Sequence, residues 1–173
     1  MTGVCLRTLD DSWIGRLADT ATRHAAPSET MPTSEAQEWN PQVTAAFHEY
    51  HRRRSALASL RTYVIAIDTT VLGAVRLDDV DHLDEGTFET DMWLARTARG
   101  KYLASQALSL TLTRAATLGA QCVVARAGFD NLAAHAAMRR IGAYLKLEDT
   151  GIRAEFILAE CLRTTATPIP QPA

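Results

Sequence analysis

The sequence predicts an α/β fold, a single domain on a mixed β-sheet flanked by helices. Three observations lead there. The apolar pattern switches repeatedly between period two and the 3.6-residue period of a helix. The resulting order is strand, helix, helix, three strands, helix, strand, helix, two strands, with no internal repeat. The 173 residues suit one core that buries roughly 70% of the unfolded surface, so no metal or disulfide is needed to hold it.

Residues 4–9 form a short apolar strand. Asp10-Asp11-Ser12 then supplies N-cap chemistry for a helix to about residue 24, with Trp13, Ile14, Leu17 and Ala21 facing inward. Residues 27–32 alternate Pro with Ser and Thr and are expected as a surface loop. Asn40-Pro41 opens a second helix, proline in its first turn, that carries Arg52-Arg53-Arg54 and runs to residue 57. Residues 62–67 and 71–77 are two β-rich runs around Asp68-Thr69-Thr70, an antiparallel hairpin. An acidic loop, 78–86, follows.

The next stretch organises the rest. Residues 87–95 read T-F-E-T-D-M-W-L-A, placing Phe88, Thr90, Met92 and Leu94 on one face and Glu89, Asp91 and Trp93 on the other. From Lys101 to about residue 118 the apolar residues recur at three and four, an amphipathic helix stopped by Gly119. Between them lies the turn Arg99-Gly100-Lys101-Tyr102. A helix start presents free N–H groups and the positive end of the dipole, and here two cations and a glycine stand beside it, so the turn is expected to bind a phosphate. A strand at 121–127, a helix from 132 to 141 closed by Gly142, and strands at 143–147 and 152–162 complete the domain, 1–163. Residues 164–173 are expected to be a flexible Pro-rich tail.

Eighteen basic and twenty acidic residues leave a net charge of −2, which gives no reason to expect a nucleic acid or an anionic membrane as partner. Cys5, Cys122 and Cys161 lie far apart in apolar runs without zinc spacing, as reduced thiols of a cytoplasmic protein would. No metal is expected. No early apolar stretch is long enough for a signal peptide or a membrane span, so a cytoplasmic location is expected.

Three stretches, E-T-D-M-W-L (89–94), R-G-K-Y-L-A-S-Q-A-L (99–108), and N-L-A-A through I-G-A-Y (131–144), resemble the GNAT superfamily of acyl-CoA-dependent N-acyltransferases. Within it the likeness is greatest to the ribosomal-protein N-terminal acetyltransferases. The resemblance implies a mostly antiparallel sheet and acetyl-CoA as cosubstrate. It implies that the backbone of Arg99, Gly100, Lys101, Tyr102, Leu103 and Ala104, with Ser105 beside it, holds the pyrophosphate of coenzyme A. Trp93 and Leu94 would pair with the pantetheine arm, Asn131 would hydrogen-bond that arm from the opposite strand, and Glu89 would be the general base. A homodimer is a further expectation from the family.

The departures are specific. Tyr102 stands where the family has Gly or Ala, which is acceptable if its φ is helical. Met138 replaces a tyrosine acid found in some branches, Ala134 replaces Ser, and Ala143 replaces Phe. Acyl transfer needs a neutral amine and a thiolate able to leave. Glu89 and Asp91, two residues apart on one face, are the candidate bases, expected to raise each other's pKa and attract a cationic amine. Ser105, Tyr144 or solvent could protonate the thiolate. His48, His51 and the three arginines read as a solvated helix face, and His135 as a surface residue. Trp39 could line an acceptor pocket whose amine belongs to a small molecule or a protein N-terminus. The competing reading is a non-catalytic acyl-CoA-binding sensor or partner protein. A structural domain that excludes coenzyme A is a third.

Overall fold

The computed structural model describes residues 3–32 and 34–164, and the tail expected beyond them lies outside the described residues. The elements are β1 (Cys5–Thr8), α1 (Asp11–His24), α2 (Pro27–Thr30), α3 (Pro41–Ser55), β2 (Leu60–Ile67), β3 (Thr70–Asp79), β4 (Thr87–Leu94), α4 (Leu103–Thr117), β5 (Cys122–Ala127), α5 (Leu132–Arg140), β6 (Tyr144–Glu148), β7 (Gly151–Ile157) and α6 (Leu158–Thr164). The caps are those the sequence carries. Asp10 accepts from the Ser12 amide at 2.9 Å, Asn40 accepts from Val43, and Gly119 and Gly142 adopt φ of 93° and 91° just past α4 and α5.

Seven strands form one sheet in the order β1-β2-β3-β4-β5-β7-β6. Every neighbouring pair is antiparallel except β4 and β5. Because side chains alternate, β4 feeds two cores at once. Phe88 and Leu94 pack with Leu108, Leu112, Val123 and Phe156 beneath α4, whereas Trp93 packs with Leu17, Phe47 and Val64 beneath α1 and α3. Gly73 of β3 lies where a Cβ would come within 2.0 Å of the Trp93 carbonyl oxygen, so only glycine lets the strands approach at this point.

Three local expectations are corrected. The loop at 27–32 contains the helical turn α2, and Pro27, Thr30 and Met31 are buried. Its start carries proline and a Glu29 side chain that accepts from the Ala26 amide at 2.6 Å, which closes the turn. The strand expected at 152–162 ends at Ile157, because Leu158, Cys161 and Leu162 recur at helical spacing and fold as α6 onto the α4 side of the sheet. The Arg52–Arg54 face is solvated only in part. Arg52 and Arg53 pair with Glu49, while Arg54 is buried, donates to Thr62 and pairs with Asp78 of β3.

Candidate active site

The single parallel pair is where the sheet opens. β4 and β5 are paired from Thr87 opposite Cys122 to Thr90 opposite Ala125. β4 then continues along β3 to Leu94, opposite Gly73, without a partner on its other side. On that side the backbone groups of Met92 and the Leu94 amide are left for another extended chain to satisfy, whereas Asp91 and Trp93 turn theirs toward β3 and the Leu94 carbonyl accepts from Arg99 Nε at 3.0 Å. A cavity of about 710 Å³ occupies the divergence, walled by the end of β4, by Ala125 to Ala127 of β5 and by α5.

The turn from Arg99 to Tyr102 forms one end of the cavity. After β4 the chain makes a 3₁₀ turn, Arg96–Ala98, then passes through Gly100 at φ 74° and Tyr102 at φ 58° into α4. The helix therefore begins at Leu103, two residues later than its apolar pattern suggested. The expectation of a helical φ at Tyr102 is overturned, because this residue sits in the left-handed region that glycine occupies without strain. Its ring is exposed and stacks beneath the Arg140 guanidinium, 4.4 Å from the ring centroid. The first intrahelical bond runs from the Gln106 amide to the Tyr102 carbonyl, so the amides of Leu103, Ala104 and Ser105 have no helical acceptor, an arrangement that favours an anion at a helix start. A Cβ on Gly100 would meet no heavy atom within 4 Å, so the outer side of the turn is open. These features fit a pyrophosphate.

Trp93, Leu94, Arg99, Gly100, Tyr102, Leu103, Ala104, Ser105, Asn131 and Asp91 all line the cavity. Lys101 and Glu89 do not. Lys101 donates to the Thr97 carbonyl at 2.9 Å. Asn131 caps α5, its Oδ1 accepting from Ala134 at 3.1 Å, which leaves its amide nitrogen as the group able to donate to a ligand. Met138 and Ala134 are part of the wall. Tyr144 lies elsewhere. Its hydroxyl donates to Glu160 at 2.9 Å, and that bond to a carboxylate raises the phenol's pKa. Trp39 is also absent from the cavity, its indole nitrogen tying Ala25 at 2.8 Å. His135 is buried rather than on the surface and does not line the cavity.

Each candidate carboxylate faces an arginine. Asp91 pairs with the buried Arg76, its register partner on β3, and Arg76 also donates to the Tyr50 hydroxyl of α3. Glu89 pairs with Arg126 of β5 and lies 4.0 Å from His82. A third carboxylate, Glu29, reaches the cavity from α2, and sequence reasoning missed it because the segment looked like a plain loop. Its Oε1 accepts from Arg99 Nη2 at 2.8 Å. Partial burial opposes the Glu29 charge, but the Ala26 amide and the Arg99 guanidinium outweigh it and hold the carboxyl below the usual glutamate range.

The model of the acetyltransferase (GNAT) domain matches residues 4–144. The chain belongs to the GNAT acetyltransferases. Family membership makes it an acyl-CoA-dependent N-acetyltransferase with acetyl-CoA as cosubstrate. Solved structures with the same fold include RimL, a ribosomal-protein alpha-N-acetyltransferase in complex with coenzyme A (18% identity, 91% of this chain and 95% of that one, TM-score 0.71). Mycobacterium smegmatis RimJ in complex with CoA-disulfide is similar (16%, 94% and 88%, 0.73). So is the Vibrio cholerae spermidine N-acetyltransferase with coenzyme A and spermine (14%, 92% and 98%, 0.72). At these identities the structural likeness establishes the GNAT fold. No curated protein matches this GNAT sequence. Among the described residues no helix is long and apolar enough to cross a membrane, and no three His, Cys, Asp or Glu side chains are grouped to hold a metal ion.

Proposed function

We propose that this acetyltransferase acylates a primary amine at the opening between β4 and β5, with the β4 carboxylates taking the amine proton. The observation that carries the proposal is the β4 edge left without a strand partner beyond Thr90, set beside a turn whose first helical amides, Leu103 to Ser105, have no intrahelical acceptor. Bound acetyl-CoA supplies an acetyl carbon activated by a thiol leaving group. The free β4 edge pairs with the extended arm, the amides of Leu103 to Ser105 hold the phosphates, and Asn131 donates from the far wall. Asp91 borders the cavity and Glu89 stands two residues behind it on the same face, a proton path from the amine toward Arg126 and solvent. The thiolate has a pKa near 8.5, so Ser105 in the cavity wall or solvent suffices to protonate it.

Charge pairing bears on the acceptor. With an arginine on Glu29, Glu89 and Asp91, a polycationic amine gains little Coulomb energy here. An α-amine of pKa 7.7–8.0 is neutral in about one molecule in ten at pH 7, against about one in 2,500 for a lysine-type amine. The site therefore fits an α-amine better than a polyamine. In a thiol-release assay, Asp91→Asn or Glu89→Gln should lower kcat/KM by about 10²–10⁴, with coenzyme A affinity unchanged by calorimetry. Wild-type turnover in both variants would remove the carboxylates from the mechanism.

A further inference from the structure

We infer that the Tyr102 side chain and Arg140 form the site for the 3′-phosphoadenosine end of coenzyme A, with the purine stacked on the Tyr102 ring and the 3′-phosphate held by the Arg140 guanidinium. The inference rests on the acyl-CoA reading above and deepens it. The two residues come from different elements, Tyr102 from the turn that opens α4 and Arg140 from the last turn of α5. Both line the cavity, and the guanidinium carbon lies 4.4 Å from the ring centroid. Four arginines line this cavity, and three are committed to carboxylates: Arg76 to Asp91, Arg99 to Glu29, and Arg126 to Glu89 and Glu148. Arg140 is the fourth. Among the described residues it makes no ion pair and no side-chain hydrogen bond, and stacks on the ring instead.

The stacking leaves both groups able to bind. A guanidinium laid on an aromatic face keeps its N–H donors in its own plane, a fork that matches the oxygens of a phosphate. A phosphate monoester carries about −1.5 to −2 charges at pH 7, which makes it the strongest anion on coenzyme A for one unpaired cation. Tyr102 is 66% exposed although Arg140 covers part of it, which leaves ring surface for a second planar group. The other aromatic side chain of the cavity wall, Trp93, is buried under α1 and α3. Position agrees. Tyr102 directly precedes the amides of Leu103 to Ser105, and the nucleoside is joined to the pyrophosphate through its ribose, so purine and 3′-phosphate fall within reach of the same turn. Tyr102 holds its ring there at a φ of 58°, a conformation that glycine would adopt without strain.

Calorimetric titration with coenzyme A and with 3′-dephospho-coenzyme A separates the two contacts. Wild type should bind coenzyme A about tenfold more tightly than the dephospho form, the scale of a charge-assisted hydrogen bond. Arg140→Gln should weaken coenzyme A binding by about tenfold and leave the dephospho form unchanged, so that the preference disappears. Tyr102→Gly, which also relieves the backbone, should weaken both ligands by about tenfold, and Tyr102→Phe, which keeps a ring, should recover both. Wild-type protein without a preference, or an Arg140→Gln loss as large for the dephospho form, would overturn the phosphate contact. Tyr102→Gly binding as wild type does, or no recovery with Tyr102→Phe, would overturn the stacking; either failure overturns the inference. Wild-type protein that binds neither ligand at millimolar concentration would defeat the acyl-CoA reading itself, a result separate from these.

Discussion

His51 is the residue that most constrains how the protein behaves with pH. It is buried beneath α3 against Phe47 and Tyr50, with neither ring nitrogen hydrogen-bonded among the described residues. Burial first, then the charges of Arg54 and Arg76, lower its pKa to about 3. An unfolded histidine titrates near 6.5, so between that value and about 3 the unfolded chain binds the extra proton. Stability is complete above pH 6.5 and falls as the pH drops toward 3, by an amount of order 5 kcal/mol across the window. His51→Leu gives up no protein hydrogen bond and removes this titration. Its stability in urea should therefore decline less between pH 6.5 and 4 than that of wild type, and parallel declines would show that His51 is not the sensor. The sequence placed His51 on a helix but not inside, because charged neighbours at 52–54 made the face look solvated. Tyr102 is the opposite case: the family's glycine at that position is itself the sign of a left-handed φ, whose cost for an L-residue is about 1–2 kcal/mol.

At the level of elements, α5 rests on a cap, Asn131, that also lines the cavity. Asn131→Asp keeps an oxygen for the Ala134 amide and loses the amide donor. The variant should match wild type in thermal stability and bind coenzyme A more weakly, whereas Asn131→Ala should in addition lose roughly 0.5–2 kcal/mol of stability. If the aspartate variant binds as wild type does, Asn131 only caps. Long periodic elements, α1, α3, α4 and β2 to β5, were legible because each repeats its period over at least six residues. The misread ones are short. In α2, four residues of Pro, Ser, Glu and Thr favour a turn by composition, although proline at the first position and glutamate at the third are also helix-start signals. In α6 a run of I-L-A-E-C-L satisfies both periods, and packing against α4 decides it.

For the whole molecule, the two parts of the sheet meet through four residue pairs between β4 and β5, so a ligand lying along the open edge adds contacts to both. Acetyl-CoA at 100 times its Kd should stabilise the protein by about 2.7 kcal/mol, and free coenzyme A should do the same at its own Kd. Thermal unfolding with each ligand checks this, and a midpoint unmoved by either would count against the cavity as the cofactor site. The turn and the strand faces were visible in the sequence because each is local. The arginine partners of Glu89, Asp91 and Glu29 were not, since they come from 15 to 70 residues away and become neighbours only through register and chain reversal. The order β5-β7-β6 carries a consequence for biosynthesis. β5 emerges from the ribosome well before β7, the strand that covers its second edge, and Val123 and Val124 at its centre end fully buried. Until residues 151–157 arrive, that apolar edge is open to any other extended chain, so a pause in translation between the two strands exposes the nascent protein to aggregation that the finished fold resists.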